Sequence, residues 1–302
     1  MHNLESNFEK ILEIAKTCFV DKVNQHDNFE TYPRLPKCSD LAIIALAISA
    51  DAIGIDSENY LYGKLRTDYP ILFKQFPDRC NYNRRKRRLR QKIDELSVFL
   101  TERMKTPGDA RLIDSMSLAV CRFARANRLT ILQEDKEMRP EIGYSAIDKS
   151  FYKGYKLHML TTASGIIESH FLTPANVHDI KLLKDLTDGF VENCLLIGDK
   201  GYVSKTGQLE LFATSKISLI TPPKRNQTGH NKWTWEHRKK RKRIETTFSQ
   251  FCDQLMIKRN YAKTFNGYYT RILTKIAAFT TLQYINYLNN RPLNHIKYAL
   301  AI

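Results

Sequence analysis

The stretch KTPGD at 105–109 separates two parts of this chain that follow different periodicities, and that change limits the fold more than any other feature. A Pro-Gly pair stops a helix, because proline has no N–H to donate and glycine frees the backbone to turn. Before it, apolar residues recur at helical spacing. Phe8, Ile11, Leu12, Ile14, Ala15 and Phe19 mark one face of residues 5–23. LAIIALAISADAIGI (41–55) is apolar almost all round and reads as a buried helix, with Ser39-Asp40 placed to cap it. It is too short to span a bilayer and Asp51 interrupts it. Short helical pieces fill 57–76, broken near Pro70 and Pro77. NYNRRKRRLRQKIDELSVFLTERM (81–104) reads as one helix, with Leu89, Ile93, Leu96, Phe99 and Leu100 on its packed face.

After the break the pattern shortens. RLIDSMSLAV (111–120) reads as a strand, and YKGYKLHMLTTASGIIESHFLTP (152–174) as a hairpin turning at Ala163-Ser164-Gly165. A helix is expected over 178–190, a strand at NCLLIGD (193–199), a helix over 204–212 and a strand over 216–221, closed by Pro222-Pro223. Residues from Trp233 to about Met256 read as a very basic amphipathic helix, and 267–288 as a final apolar helix. The order predicts an α/β domain with a mixed sheet. The expected division is a mostly helical region, 1–107, followed by an α/β domain, 108–302, that includes the last helix.

Charge narrows the partner. The formal net charge is +16 over 302 residues, which points to a polyanion, in practice nucleic acid or an anionic membrane surface, and the clustering of the charge favours nucleic acid. Arg84, Arg85, Lys86, Arg87 and Arg88, continued by Arg90 and Lys92, hold no intervening acid. A second block comprises Arg238, Lys239, Lys240, Arg241, Lys242 and Arg243, with Lys224 and Arg225 upstream. Such clusters neutralise phosphates without reading sequence. A solvated helix face is the plainer reading, but like charges at this density repel without a counter-ion surface. Six scattered cysteines with no CxxC pair imply reduced thiols, and the polar start MHNLESNFEKI lacks a signal-peptide core. The expected location is cytoplasmic, with no membrane partner.

Three acids stand out. Asp114 lies among apolar neighbours in LIDSM, where an isolated carboxylate is costly unless paired or metal-bound. A strand-end acid facing solvent is the alternative. Asp199 ends the apolar run of LLIGDKGYV, where Gly201 lets the chain turn away; a turn-forming Asp is the bland reading. Glu245 is the only acid between Glu236 and Asp253, and helical spacing puts it on one face with Arg241 and Phe248. Three carboxylates on rigid elements suit hard divalent cations. Two Mg²⁺ or Mn²⁺ ions held this way act on phosphodiesters. Other residues are candidates for support. His178 and Asp179 open the segment before the second acid, and Asp179 is also a natural helix cap. Lys156 and His158 share a strand face. Lys200 follows Asp199 and is placed for the DNA backbone. Trp233 suits stacking on an unpaired base, although for at least one of Trp233 and Trp235 anchorage in the core is favoured.

LIDSM, YKGYKLHMLTTASGIIESHFLTPANVHD, LLIGDKGYVS and RKRIETTFSQF occur in that order, and with them residues 108–285 resemble the catalytic domain of DDE transposases of bacterial insertion sequences. The nearest resemblance is to the IS982 family, within the wider group related to IS4 and IS5. The resemblance implies an RNase H-like fold with the first acid on the first strand, the second after the fourth strand and the third on a following helix. It makes Asp114, Asp199 and Glu245 the catalytic, metal-binding triad. It implies cleavage at element ends, joining of 3′-hydroxyls to target DNA, double-stranded terminal inverted repeats and target DNA as partners, and a dimer or larger assembly on that DNA in the bacterial nucleoid. Arg241 takes the place of the arginine in the Tyr-Arg-Glu-Lys signature of IS4 transposases. Arg238 and Cys252 stand where that signature has tyrosine and lysine, which sets the chain apart from IS4 proper. An RNase H-like nuclease without strand transfer, or a non-catalytic DNA-binding derivative, would share most of these features.

Overall fold

The computed structural model describes residues 3–105, 110–183, 185, 192–203, 205–223 and 233–300. The chain forms two units: Met1–Met104 with Gln250–Ile302, and Lys105–Ser249. A helical unit followed by a mixed-sheet domain is the expected fold class, with RNase H-like architecture in the sheet.

The first unit contains α1 (Leu4–Phe19), α2 (Asp40–Ala52), α3 (Glu58–Asp68), α4 (Pro70–Gln75), α5 (Arg79–Arg88) and α6 (Arg90–Met104). Each start has a local cause. Ser39 accepts a hydrogen bond from the Ala42 amide to cap α2, and Ser57 does the same for Tyr60 in α3. Pro70 opens α4, where its missing N–H costs nothing. The basic stretch expected as one helix is two. At Leu89 the backbone leaves the helical region (φ −84°, ψ 7°) while the side chain stays buried, and no proline or glycine announces the break.

The unit closes around α9 (Phe265–Leu288), which packs against α2 and α6 and buries nearly every side chain. Leu41, Ile43, Ile44, Leu46 and Ile48 of α2 are all buried, each contributing about 1.5–3 kcal/mol by leaving water. The buried cations of α9 have matched acids. Lys275 Nζ lies 2.6 Å from Asp51, and Arg271 Nη1 lies 2.9 Å from Glu58. Gln250–Ile302 therefore groups with the first helices.

The second unit is a six-stranded sheet of β1 (Arg111–Arg122), β2 (Glu141–Ser145), β3 (Ser150–Thr162), β4 (Ile167–Pro174), β5 (Leu195–Ile197) and β6 (Ser218–Ile220). β1 is central, antiparallel to β3 on one side and parallel to β5 on the other; β6 is parallel to β5. The long β3 offers its other edge to β2 with one half and to β4 with the other. The β3–β4 hairpin turns where expected, with Gly165 at φ +95°. β2 was not expected: EIGYS is a short edge strand, exposed at three of five positions, too brief for periodicity to reveal. It makes Asp199 follow the fifth strand, not the fourth. A register shift lies at Ala119/Cys121, opposite Gly154 and Lys153. A Cβ on Gly154 would collide with the Leu118 carbonyl and the Val120 amide there.

α7 (Lys205–Ser215) lies between β5 and β6, and α8 (Trp235–Asp253) follows β6. Of the helix expected over 178–190, only a 3-10 turn at Asp179–Leu182 and residues 183 and 185 are described; the remainder lies outside the described residues. Among the described residues no helix is long and apolar enough to cross a membrane.

Candidate active site

Strand register accounts for the first two acids. The parallel pairs Arg111↔Leu196 and Leu112↔Ile197 set β5 beside β1, and Asp199 follows the last pair by two residues just past β5, as Asp114 follows it on β1. Gly198 makes this possible: a Cβ there would press on Ile113 at 3.1 Å and on the Tyr202 ring at 3.3 Å. Asp199 then caps a short 3-10 turn, Lys200–Tyr202, its carbonyl accepting from the Tyr202 amide at 3.1 Å. Tyr202 is buried beneath the turn.

α8 supplies the third acid and a cation. Arg241 and Glu245, one helical turn apart, face the same side. Arg241 Nη2 donates to Asp114 Oδ2 at 3.1 Å. Its Nη1 lies 3.7 Å from Asp199 Oδ1 and 3.6 Å from Glu245 Oε1. One guanidinium thus touches all three carboxylates. Exposure rises across the set, with side chains 14% exposed at Asp114, 43% at Asp199 and 54% at Glu245. Burial pushes the Asp114 carboxyl up to about 6, against the pull of Arg241 and of the Ser115 amide, which donates to Oδ1 at 2.8 Å. Burial would lower the Arg241 pKa, but Asp114, Asp199 and Glu245 outweigh it and raise the value.

A second cluster gathers around Asp179. Its carboxylate accepts from Ser115 Oγ at 3.2 Å and from Lys156 Nζ at 3.0 Å. Lys156 also reaches the Val177 carbonyl at 2.9 Å. His158 is fully buried, bonded through Nε2 to Thr173 Oγ1 at 2.9 Å, with Nδ1 3.9 Å from Asp179. Burial lowers its pKa to about 4, with Asp179 opposing and Lys156 assisting. Asp179 Oδ2 would lie 3.2 Å from a Cβ on Gly201, so this cluster abuts the turn after Asp199. Asp179 ties β1 and β3 to the turn after β4 and makes no side-chain cap there; His178 is the N-cap residue and makes none either. Ser115, Thr173, Gly198 and Tyr202 escaped the sequence reading. Only Gly201, two residues after Asp199, hinted at a sharp turn there.

The basic residues divide. Arg238, Lys239, Lys240 and Lys242 of α8 are exposed, as is Lys200; Arg243 is half-buried. Lys224 and Arg225 lie outside the described residues. In α5, Arg84 and Arg88 are exposed and Arg87 half-buried, but Arg85 and Lys86 turn inward. Arg85 Nη2 lies 2.6 Å from Asp40, and Lys86 Nζ 2.6 Å from Glu58. Arg88 meets Glu30 at 3.0 Å, and Arg84 bonds to Asn81. Neither tryptophan enters the core, contrary to expectation. Trp235 is 70% exposed with Lys239 Nζ 5.1 Å from its ring centre, and the half-buried Trp233 lies against His237.

Among the described residues, no three His, Cys, Asp or Glu side chains are placed to hold one metal ion. The acids meet at the Arg241 guanidinium instead. As a donor set, three carboxylates fit a hard, oxygen-seeking cation, and a cation already stands at the point they share.

A family model described as transposase DDE domain matches residues 105–280. The transposase for insertion sequence element IS1106 of Neisseria meningitidis serogroup B is 34% identical to this chain over 87 residues. That stretch is 26% of this chain and 30% of the relative, so the match covers under a third of that protein's length.

Proposed function

The chain belongs to the family of transposase DDE domains, and from that membership we propose that it cleaves phosphodiester bonds at the ends of an insertion sequence and joins the 3′-hydroxyls to target DNA. The observation that carries this reading is the single guanidinium of Arg241, which lies within hydrogen-bond or ion-pair reach of Asp114, Asp199 and Glu245. Three acids far apart in sequence, drawn from a strand, the turn after another strand and a helix, have no structural need to meet at one cation.

In this reading Asp114, Asp199 and Glu245 would hold Mg²⁺ or Mn²⁺, two ions in the full site. When bound, such ions activate the attacking oxygen and stabilise the leaving 3′-oxygen. Asp114 provides the most buried ligand, held by the Ser115 amide. Arg241 offsets the mutual repulsion of the acids and adds positive charge where a phosphate arrives. Lys156, Asp179 and His158, with His178 at the start of the turn, position the segment against which Asp199 turns. Lys200, Trp233 and the exposed cations of α8 contact the DNA strand, with Lys224 and Arg225 adding charge upstream. The helical region engages the terminal inverted repeats. Two ends must be brought together, so the acting form is a dimer or larger assembly on double-stranded DNA, in the bacterial cytoplasm. The finer assignment to the IS982 group rests on the four motif blocks; the IS1106 relative supports the broader family.

The test uses duplexes bearing the inverted repeats that flank the reading frame. With Mg²⁺ or Mn²⁺ the protein should cut these ends, and it should join pre-cut ends to a plasmid. Asp199→Asn should abolish both while leaving end binding within a few fold. Cutting without joining would make the protein a nuclease. End binding with neither step would make it a non-catalytic derivative.

A further inference from the structure

The helical unit contains a cleft of about 690 Å³, walled by the start of α3, by α5 and by residues 261–267 at the start of α9. Glu58 is the acid in its lining, and that charge is already matched by Lys86 and Arg271. The cations that remain have no such partner. Arg79 and Lys263 are exposed and enter no ion pair among the described residues. Arg87 reaches only the Asn83 carbonyl, at 3.4 Å. Two helices of 11 and 24 residues begin at the cleft, and helix starts carry partial positive charge and free amides. Arg271 is only 8% exposed, yet its Nε has no hydrogen-bond partner in the protein. A buried donor of this kind is ordinarily satisfied by something.

We propose that this cleft is a second phosphate-binding site, which seats the sugar-phosphate backbone of duplex DNA on Arg79, Arg87 and Lys263. The proposal rests on the reading that the chain acts on DNA. Two of its three cations, Arg79 and Lys263, lie outside the uninterrupted basic run of α5, and none of the three belongs to the site of the three acids. Two features favour a polymer backbone over a free ion. The volume is that of a site for a ligand of several groups. The cations also come from two chain segments far apart in sequence, which together give the cleft a net positive lining. Arg85 and Lys86, conspicuous in sequence, contribute to this site only by holding its walls.

The test is the salt dependence of binding to a random-sequence duplex, because backbone contacts ignore sequence. The full-length protein is compared with R79A/K263A and with K74A, a single exposed cation of α4 outside the cleft. Each lost phosphate contact removes about 0.9 from the slope of log K against log salt. R79A/K263A should lower the slope by about 2, R79K/K263R should restore it, and K74A should change it by well under 1. All variants should melt at the wild-type temperature, since the substituted side chains are exposed. Equal slopes for wild type and R79A/K263A would overturn the cleft while leaving the transposase reading intact. Loss of inorganic phosphate binding with an unchanged duplex slope would overturn it too, making the site one for free phosphate. Wild-type protein that binds no duplex in a salt-dependent way would defeat both readings.

Discussion

Asp114→Asn should stabilise the protein at pH 8 and do little at pH 4. Burial holds the Asp114 carboxyl at about 6 in the folded chain, against an ordinary value of 3.8. A raised acid binds its proton more tightly when folded. Its contribution to stability is therefore fully present below about 3.8 and is lost as pH rises through about 6. The difference of about two units corresponds to about 3 kcal/mol at most, at about 1.4 kcal/mol per unit. Part of that is returned, because asparagine is a weaker partner than aspartate for Arg241, which bonds to it at 3.1 Å. A net gain of about 1–3 kcal/mol is expected at pH 8, falling to about 0.5 kcal/mol at pH 4, where the folded aspartate is already protonated. Urea unfolding followed by circular dichroism at the two pH values measures it through the midpoint at constant slope. Destabilisation at pH 8, or a gain of equal size at both, would show that the ionised carboxylate is not under strain in the fold.

Other outcomes follow from particular contacts. His158, buried and held near 4 against an ordinary 6.5, carries a stability contribution that is present above about 6.5 and lost as pH falls through about 4. His158→Gln should remove up to about 3 kcal/mol of the acid-side loss, read as a flatter melting temperature between pH 6.5 and 4. Lys275→Met strands Asp51 in the helical unit and should cost about 3–5 kcal/mol, whereas Lys275→Met with Asp51→Leu should recover much of it in denaturant titrations. Gly154→Ala puts a methyl group against the backbone of β1, which no rotamer can relieve. It should cost more than 3 kcal/mol and reduce amide-exchange protection in β1 and β3.

The legible parts of this fold were those written in local order. Helix periodicity marked α1, α2 and α9, and short apolar runs marked β1, β3, β4 and β5, because each pattern is complete within one element. The three acids stood out because each was an oddity in its own surroundings, Asp114 among apolar residues and Glu245 among cations. What pairs with what was illegible. Arg85 and Lys86 read as free phosphate ligands because Asp40 and Glu58, their acids, lie far away in the chain. Asp179 read equally as a helix cap or a supporting acid, because its donors Ser115 and Lys156 lie on β1 and β3, distant in sequence. The break at Leu89 carried no breaker residue, and β2 was too short to show a period. Arg241 was marked by its place in a signature, by its basic run and by its helical spacing from Glu245. Its meeting with all three acids depends on strand register and helix docking, neither of which a linear pattern contains.

The split composition of the helical unit imposes an order on the protein's synthesis. α2 and α6 emerge first with apolar faces that pack against α9, and α9 is made only after the whole of Lys105–Ser249. The sheet unit is contiguous and can fold while translation continues. The first helices must wait, their closing contact delayed by a long intervening loop of chain. A chain cut short before Phe265 keeps those faces open. Such a product is open to proteolysis across its first helices, so chains truncated before Phe265 should retain little folded helical unit while the sheet unit persists.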